Sequence, residues 1–174
     1  VDEIILASFS ELSSLSAEDF AEDLARRASG RRGTTPRHEP DQPQIVSGVY
    51  EGRTTGAPLT VLFENTNTHS GDYSNLVRQP RPSHADLVAQ RKFAGANEPR
   101  GGGHFSGRLT LGLVAAGVVA KRVIESNEFV FTTRIAEIGG CADENRFGEV
   151  IEAAMRDCDS VGGVVECRVD NMAV

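Results

Sequence analysis

Residues 100–124 read RGGGHFSGRLTLGLVAAGVVAKRVI, and this stretch decides how the chain folds. Residues 109–124 are apolar almost all round and include several small side chains, which predicts a helix buried at the centre of a domain. Three consecutive glycines run into its start and let a ligand approach the backbone. The free amides and positive dipole end of the helix favour an anion there. A hinge or tight turn that packs on a sheet is the alternative interpretation of the glycines.

The segments around this helix alternate between strand-like and helix-like patterns. Residues 45–50 and 58–64 predict two antiparallel strands joined by a glycine-containing turn. Ser16 opens a capping box, and a helical stripe follows it to about Ala28. The remaining predicted elements are a short helix at 85–93, a strand at 129–138, an amphipathic helix at 144–157 and a final half-buried strand that presents Val165, Cys167 and Val169 on one face. The sum is an α+β fold, with mostly antiparallel sheet packed on central helices.

The length and the net charge of the chain exclude several classes of protein. The 174 residues, 39% of them apolar, predict one domain spanning residues 1–174. With 25 acidic and 18 basic residues the net charge is −7, which argues against a general nucleic-acid binder. The longest uncharged stretch, residues 109–120, is shorter than the roughly twenty residues of a membrane span, and no signal sequence opens the chain. We therefore expect no membrane association and a cytoplasmic location.

The three cysteines predict neither disulfides nor a metal site. Cys141, Cys158 and Cys167 are odd in number, and their spacing matches neither a disulfide framework nor a paired zinc motif. We expect them to be small buried hydrophobic residues in a reducing compartment. No pair of histidines has metal-ligand spacing either, so no metal is predicted.

Basic residues cluster in an otherwise acidic protein. Five arginines and no acid lie between Arg26 and Arg37, and six bases with two acids lie between Arg78 and Arg108. The planar guanidinium fork binds phosphate or carboxylate with two hydrogen bonds, so the clusters favour a small ligand with several negative charges.

The four histidines differ in their surroundings. His84 follows Arg81 and precedes Asp86, which suits a proton donor or acceptor near an anionic ligand, although a turn or capping role is the alternative. His104 lies in the glycine segment, where it could meet an anion or stack on a flat ring. His38 and His69 are interpreted as surface residues.

Five blocks of this sequence, in order, resemble the chorismate synthase family. They are DLARRASGRRGTTPRHEPDQ, IVSGVYEGRTTGAP, ENTNTHSGDYS, RPSHAD and RGGGHFSGRLTLGLVAAGVVAKRVI, and they cover most of residues 15–125. The resemblance implies part of that family's β-α-β sandwich. It also implies a lyase of the shikimate pathway that eliminates phosphate from 5-enolpyruvylshikimate 3-phosphate to give chorismate, with reduced FMN as cofactor. NADPH as the reductant of the flavin is left open, and a homotetramer is implied.

The resemblance also assigns roles to individual residues. It implies that Arg27 and Arg32 contact substrate or cofactor, with Arg31 as a rival for Arg32, and that Arg81 contacts substrate. It implies that His84 is the histidine that protonates reduced flavin. The segment expected to touch FMN consists of His104, Phe105 and Ser106.

Two departures from the family pattern leave alternatives open. The family begins with a strand ending in Gly-Glu-Ser-His-Gly, whose histidine is implied to protonate the leaving phosphate, and no such block precedes Val1. The family's second half is also absent after Val174, so we expect a truncated or partial chain. A catalytically inactive relative that still binds anions or flavin is the alternative. A nucleic-acid-binding module is a third, disfavoured because aromatic residues do not interleave with the basic ones.

Overall fold

The computed structural model describes residues 2–6, 14–31, 33–34, 39–65, 73, 75–98, 100–124 and 128–171. Helices and antiparallel sheets occur together in these ranges, which confirms the predicted α+β class. The chain divides into two compact units, the first formed by residues 1–28 and 38–120 and the second by residues 29–37 and 121–174. No helix in the described ranges is both long and apolar enough to cross a membrane.

The described ranges contain seven strands and four α-helices. Short 3₁₀ helices at Ala17–Phe20, Arg100–Phe105, Gly107–Leu109 and Glu144–Arg146 precede or extend the longer helices. The strands are β1 (Asp2–Leu6), β2 (Pro43–Ser47), β3 (Val49–Tyr50), β4 (Arg53–Thr54), β5 (Leu59–Phe63), β6 (Val130–Ile138) and β7 (Gly163–Asp170), and the α-helices are α1 (Ala21–Arg27), α2 (Asp86–Lys92), α3 (Thr110–Ile124) and α4 (Phe147–Arg156).

A three-stranded antiparallel sheet of order β1-β5-β2 forms the core of the first unit. β2 and β5 pair as the hairpin pattern predicts, and the connection between them carries the small β3–β4 ladder. Along β5, side chains alternate between buried and half-buried, because successive residues of a strand point to opposite faces. The buried cluster consists of Leu15, Phe20, Leu24, Leu59, Val61, Phe63, Leu111, Ala115, Val118 and Val119.

The predicted capping box forms at the start of the first helical segment. The Ser16 backbone amide donates to Asp19 Oδ2 at 2.7 Å, and the Ser16 hydroxyl lies 3.1 Å from the same oxygen. The helix then ends at Arg27, as the stripe predicts to within one residue. Its last turn therefore contains Arg26 and Arg27, the first arginines of the basic loop, by which we mean residues 26–37.

Helix α3 forms where it is predicted, but only one face is buried. Leu111, Ala115 and Val118 lie in the core, whereas Leu113 is 74% exposed. The expectation of a helix buried at the centre of a domain is thus wrong for the face that carries Leu113. A helix that is apolar on every side is buried only where other elements pack against it. Here the buried residues of α3 pack with those of the sheet of the first unit along one face of the helix.

The second unit pairs β6 with β7 and places α4 beside them. In this register Phe131 lies opposite Val169 and Ile135 opposite Val165, so the predicted alternation is present. We call the surface formed by Phe131, Ile135, Val165, Cys167 and Val169 the apolar hairpin face. Burial was predicted for the β7 side of this face, and that prediction is wrong for Val165, which is 67% exposed, and for the exposed Cys167.

The cysteines also differ from the prediction. Cys158 and Cys167 are exposed and Cys141 is half-buried, and all three are free thiols. Their burial was inferred from residue type alone, but Cys158 follows the end of α4 and Cys167 lies on the apolar hairpin face.

Candidate active site

A tight turn at residues 81–84 builds the first cluster of the candidate site. The His84 amide donates to the Arg81 carbonyl at 3.4 Å, with Pro82 and Ser83 between them. Proline at the second position and a left-handed third residue, here Ser83 with φ 59°, are typical of a type II turn. Glycine is preferred at that third position, so Ser83 adopts a backbone conformation that is uncommon for a residue with a side chain.

Asp86, the first residue of α2, is the centre of this cluster. Its Oδ2 accepts from Arg81 Nε at 2.8 Å and from the Arg81 amide at 3.0 Å, while its Oδ1 accepts from Arg81 Nη2 at 2.8 Å. His84 Nδ1 lies 2.7 Å from Oδ1, and Arg81 Nη2 lies 3.1 Å from that ring nitrogen. A carboxylate that accepts from Nδ1 fixes the imidazole orientation, and Arg81 Nη2 also lies 3.3 Å from the other ring nitrogen, Nε2.

The ion pair between Arg81 and Asp86 changes the charge properties of both groups. The two hydrogen bonds from the Arg81 guanidinium hold the pKa of the Asp86 carboxyl well below its ordinary value. The same carboxylate raises the pKa of Arg81 further. Asp86 is 10% and Arg81 37% exposed, so the carboxylate is shielded while the guanidinium stays open to water. Asp86 is therefore a fixed anion that orients its two neighbours.

We expect Asp86→Asn to destabilise the fold by about 1–2 kcal/mol at neutral pH, a value reduced because water screens the exposed arginine. The native carboxyl has a lowered pKa, so its contribution is complete above roughly pH 4 and disappears as the pH falls through the lowered pKa. The difference between the parent and Asp86→Asn should therefore shrink from pH 6 to pH 3. Urea unfolding followed by circular dichroism measures this difference in unfolding free energy.

The exposed Asp157 provides the matched control, and Asp157→Asn should change stability by less than about 0.5 kcal/mol. A difference that stays constant over this pH range would contradict the expectation.

A second cluster joins Arg27, Asp41 and Arg108. Arg27 Nη1 donates to Asp41 Oδ2 at 2.9 Å, and Arg108 Nη1 donates to Asp41 Oδ1 at 2.5 Å. Arg27 Nη2 also donates to the Arg108 carbonyl at 3.3 Å. Both guanidinium groups are mostly shielded, with exposed fractions of 20% for Arg27 and 11% for Arg108. The cluster holds two positive charges around one negative charge.

The glycine segment leads into α3 through two 3₁₀ turns. A Cβ at Gly103, whose φ is positive, would collide with the carbonyl oxygen of Glu98, so this position requires glycine. The Ser106 hydroxyl accepts from the Arg108 amide at 3.2 Å, and the Leu109 amide donates to the Ser106 carbonyl at 3.2 Å. The amide of Thr110 is bonded within the same turn. The prediction of free amides is thus wrong for residues 108–110, because Ser106 caps the turn.

The predicted site residues in the described ranges lie in two clusters and in the glycine segment. Arg81 and His84 lie together around Asp86, and Arg27 lies with Asp41 and Arg108. The side chains predicted to touch FMN are exposed at His104 and Phe105 and half-buried at Ser106. Arg32 lies outside the described residues, as do His38 and His69.

Asp41 is a member of the second cluster for which the sequence predicted no role. It is 8% exposed, and both of its carboxylate oxygens accept from arginines. One local feature of the sequence pointed to Asp41, since an acid four residues beyond Arg37 and between Pro40 and Pro43 is a candidate partner for the clustered arginines. Nothing in the sequence shows that Arg108, 67 residues away, shares it.

A small cavity lies beside Asp86 of the first cluster. A cavity of about 40 Å³ is lined by Leu76, Val77, Asp86, Gln90, Gly95 and Asn97. This volume suits a few water molecules rather than an organic ligand, whose pockets typically measure hundreds of Å³. In the described ranges, no group of three His, Cys, Asp or Glu side chains is placed to hold a metal ion.

Comparison with known proteins identifies the family. A sequence model of chorismate synthase matches residues 3–174. A protein from Chitinophaga pinensis named chorismate synthase is 52% identical over 160 residues, which are 92% of this chain and 47% of that protein. A chorismate synthase from Pyrococcus abyssi is 42% identical over 173 residues, covering 87% of this chain and 49% of the relative. The chain thus spans about half the length of the curated relatives it matches.

A solved structure described as chorismate synthase shares the fold. It aligns with a TM-score of 0.59 at 21% sequence identity, covering 96% of this chain and 58% of the solved one. The match by sequence extends over nearly every residue, including both clusters described above. On these grounds the chain belongs to the chorismate synthase family.

Proposed function

We propose that this chain catalyses the chorismate synthase reaction, the elimination of phosphate from 5-enolpyruvylshikimate 3-phosphate. The observation that carries the proposal is the cluster of Arg81, His84 and Asp86, in which an oriented imidazole lies beside a guanidinium group. In this reaction the bond between a ring carbon and the phosphate oxygen breaks, a ring proton is lost, and a new ring double bond forms. A proton-transfer group and an anion-binding group must therefore lie side by side.

Arginines are the residues we propose for substrate binding. The substrate carries one phosphate and two carboxylates, and each suits a guanidinium fork. Arg81 keeps Nη1 for a ligand when its Nε and Nη2 bind Asp86. Arg27 and Arg32, from the basic loop, complete the proposed set.

His84 is the proposed proton-transfer residue. Its ring is 27% exposed, so reactants can approach it, and its Nδ1 is held by Asp86. Nε2 is then the nitrogen that exchanges a proton with the bound reactants. Asp86 acts through His84 and is a positioning residue.

The side chains of residues 104–106, in the glycine segment, are of types that can bind a flavin. His104 and the 42% exposed ring of Phe105 offer flat surfaces to a flat ring system, and the half-buried Ser106 lies next to them. Reduced FMN, when bound, supplies electron density that assists departure of the phosphate and is regained within the turnover. The protein's part is to hold the two ligands in contact and to exclude water and oxygen.

Other features of the family enter the same proposal. We propose a cytoplasmic protein that forms homo-oligomers, a tetramer by resemblance. NADPH remains a candidate reductant for the flavin. That residues 1–174 form one chorismate synthase-like domain also stays a prediction.

The test is product formation by the 174-residue chain itself. The protein is incubated anaerobically with chemically reduced FMN and 5-enolpyruvylshikimate 3-phosphate, and chorismate and inorganic phosphate are quantified. Equal amounts of the two products support the proposal, and oxidised FMN should give neither. A folded sample that releases no chorismate would contradict it and favour the inactive relative.

A further inference from the structure

Asp41 and Thr54 are the buried polar residues in the described part of the chain, and Asp41 is the one that carries a charge. Burial of a carboxylate is costly unless it is fully paired. Asp41 lies in the first unit, just before β2, outside the Asp86 cluster. Its burial therefore requires an explanation that the proposed chemistry at His84 does not supply.

The carboxylate of Asp41 is fully used by two arginines. Each of its oxygens accepts from a different guanidinium group, Oδ2 from Arg27 and Oδ1 from Arg108. We propose that Asp41 is a positioning residue, which fixes the guanidinium groups of Arg27 and Arg108 next to each other for an anionic substrate. This inference rests on the function proposed above.

The contacts of this cluster tie four separate segments of the first unit together. Arg27 lies in the last turn of α1, and Arg108 lies in the 3₁₀ turn before α3. Arg108 Nη2 also donates to the carbonyl of Glu64, directly after β5, at 3.4 Å. Asp41 is the carboxylate of this cluster that binds both arginines.

The charge of the cluster shows why a common partner is needed. Two guanidinium groups repel each other at short range, and the single carboxylate between them offsets that repulsion. One net positive charge remains on the three groups. The Nε of Arg27 is buried and has no hydrogen-bond partner in the described part of the chain, so this guanidinium keeps donor capacity.

The backbone of Asp41 makes a clean substitution available. Its φ of 44° lies in the left-handed region, which aspartate and asparagine adopt more readily than other non-glycine residues. Asp41→Asn therefore keeps the shape and the backbone and removes only the charge and one strong acceptor. A result cannot then be attributed to backbone strain.

The sign of the change in binding separates the possible roles. If the cluster acted only as positive charge, Asp41→Asn would raise its net charge from one to two and tighten binding of an anion. If Asp41 positions the arginines, the same variant weakens binding despite the extra positive charge. A role in folding alone lowers the melting temperature and leaves the dissociation constant unchanged.

The experiment measures binding without turnover. Calorimetry gives the Kd of 5-enolpyruvylshikimate 3-phosphate for the parent, Asp41→Asn and the control Thr54→Val, with melting temperatures recorded in parallel. We expect Asp41→Asn to raise Kd about 10-fold to 100-fold, the effect of losing one charge-assisted hydrogen bond. Thr54→Val should lower the melting temperature and leave Kd unchanged.

A spectroscopic readout keeps the inference separate from the proposed function. The Nη–H resonances of Arg27 and Arg108, assigned with Lys variants, should be protected from exchange in the parent, because Nη1 of each arginine donates to Asp41, and should lose protection in Asp41→Asn. Unchanged resonances, or a Kd that falls or stays constant, would overturn the positioning role. A parent chain that binds no substrate refutes the proposed function, and the inference falls with it, a failure that is seen before any variant is made.

Discussion

Replacement of His84 by alanine is expected to lower kcat for chorismate formation by about 10²-fold to 10⁴-fold, the usual contribution of a positioned proton-transfer group. The imidazole is oriented by Asp86 through its Nδ1, 2.7 Å from the carboxylate, and alanine removes the proton carrier without removing Arg81. Substrate affinity should therefore stay within about 3-fold of the parent. Single-turnover rates and calorimetry give the two quantities separately.

Two further measurements decide what a lower rate in His84→Ala means. Added imidazole should restore part of the rate if the missing group is a proton carrier. Arg91, an exposed residue of α2, provides the matched control in the same helix, and Arg91→Ala should leave both kcat and Kd unchanged. A rate within a few-fold of the parent would remove His84 from the proposed mechanism.

Phe63→Ala is expected to cost about 3–5 kcal/mol of folding free energy. Phe63 is fully buried at the end of β5, the central strand of its sheet, opposite Asp2 of β1 and Pro43 of β2. Truncation leaves a cavity where β5 meets both neighbours, and the cost is a large share of the roughly 5–15 kcal/mol by which domains are stable. Urea unfolding followed by circular dichroism measures the loss.

The chain contains its own control for this substitution. Phe131 in β6 is 46% exposed on the apolar hairpin face, so Phe131→Ala removes the same atoms from a site that is already partly in water. Its expected cost is about 1 kcal/mol or less. Equal costs at the two positions would mean that burial in this chain does not set the energetic weight of its aromatic residues.

Local patterns predicted the secondary structure well. The capping box at Ser16, the hairpin strands and α3 are encoded within a few residues, and each forms close to its predicted bounds. The patterns could not predict which faces of the strands and helices are covered by another element. The alternation in β7 correctly sets which side chains share a face, but burial depends on whether another element lies over that face, and residues 163–170 contain no information about that.

The candidate site shows the same division. Arg81, His84 and Asp86 are at most five positions apart in the sequence, so a local motif could predict that they meet, as they do. The Asp41 cluster brings Arg27 and Arg108 together across 81 residues, and single-sequence reasoning has no signal for such a distant pair. The prediction that the amides at the start of α3 are free was wrong for a local reason, because the Ser106 hydroxyl caps the turn that precedes the helix.

The apolar hairpin face has a consequence for handling the protein. β6 and β7 are nine and eight residues long, and each pairs with the other alone in the described sheets, which leaves one open edge on each strand. Long, apolar, open-edged strands are templates for pairing with another chain. Concentrated solutions of this protein should therefore form intermolecular sheet first at this hairpin, and a lysine introduced at Val165 should delay precipitation.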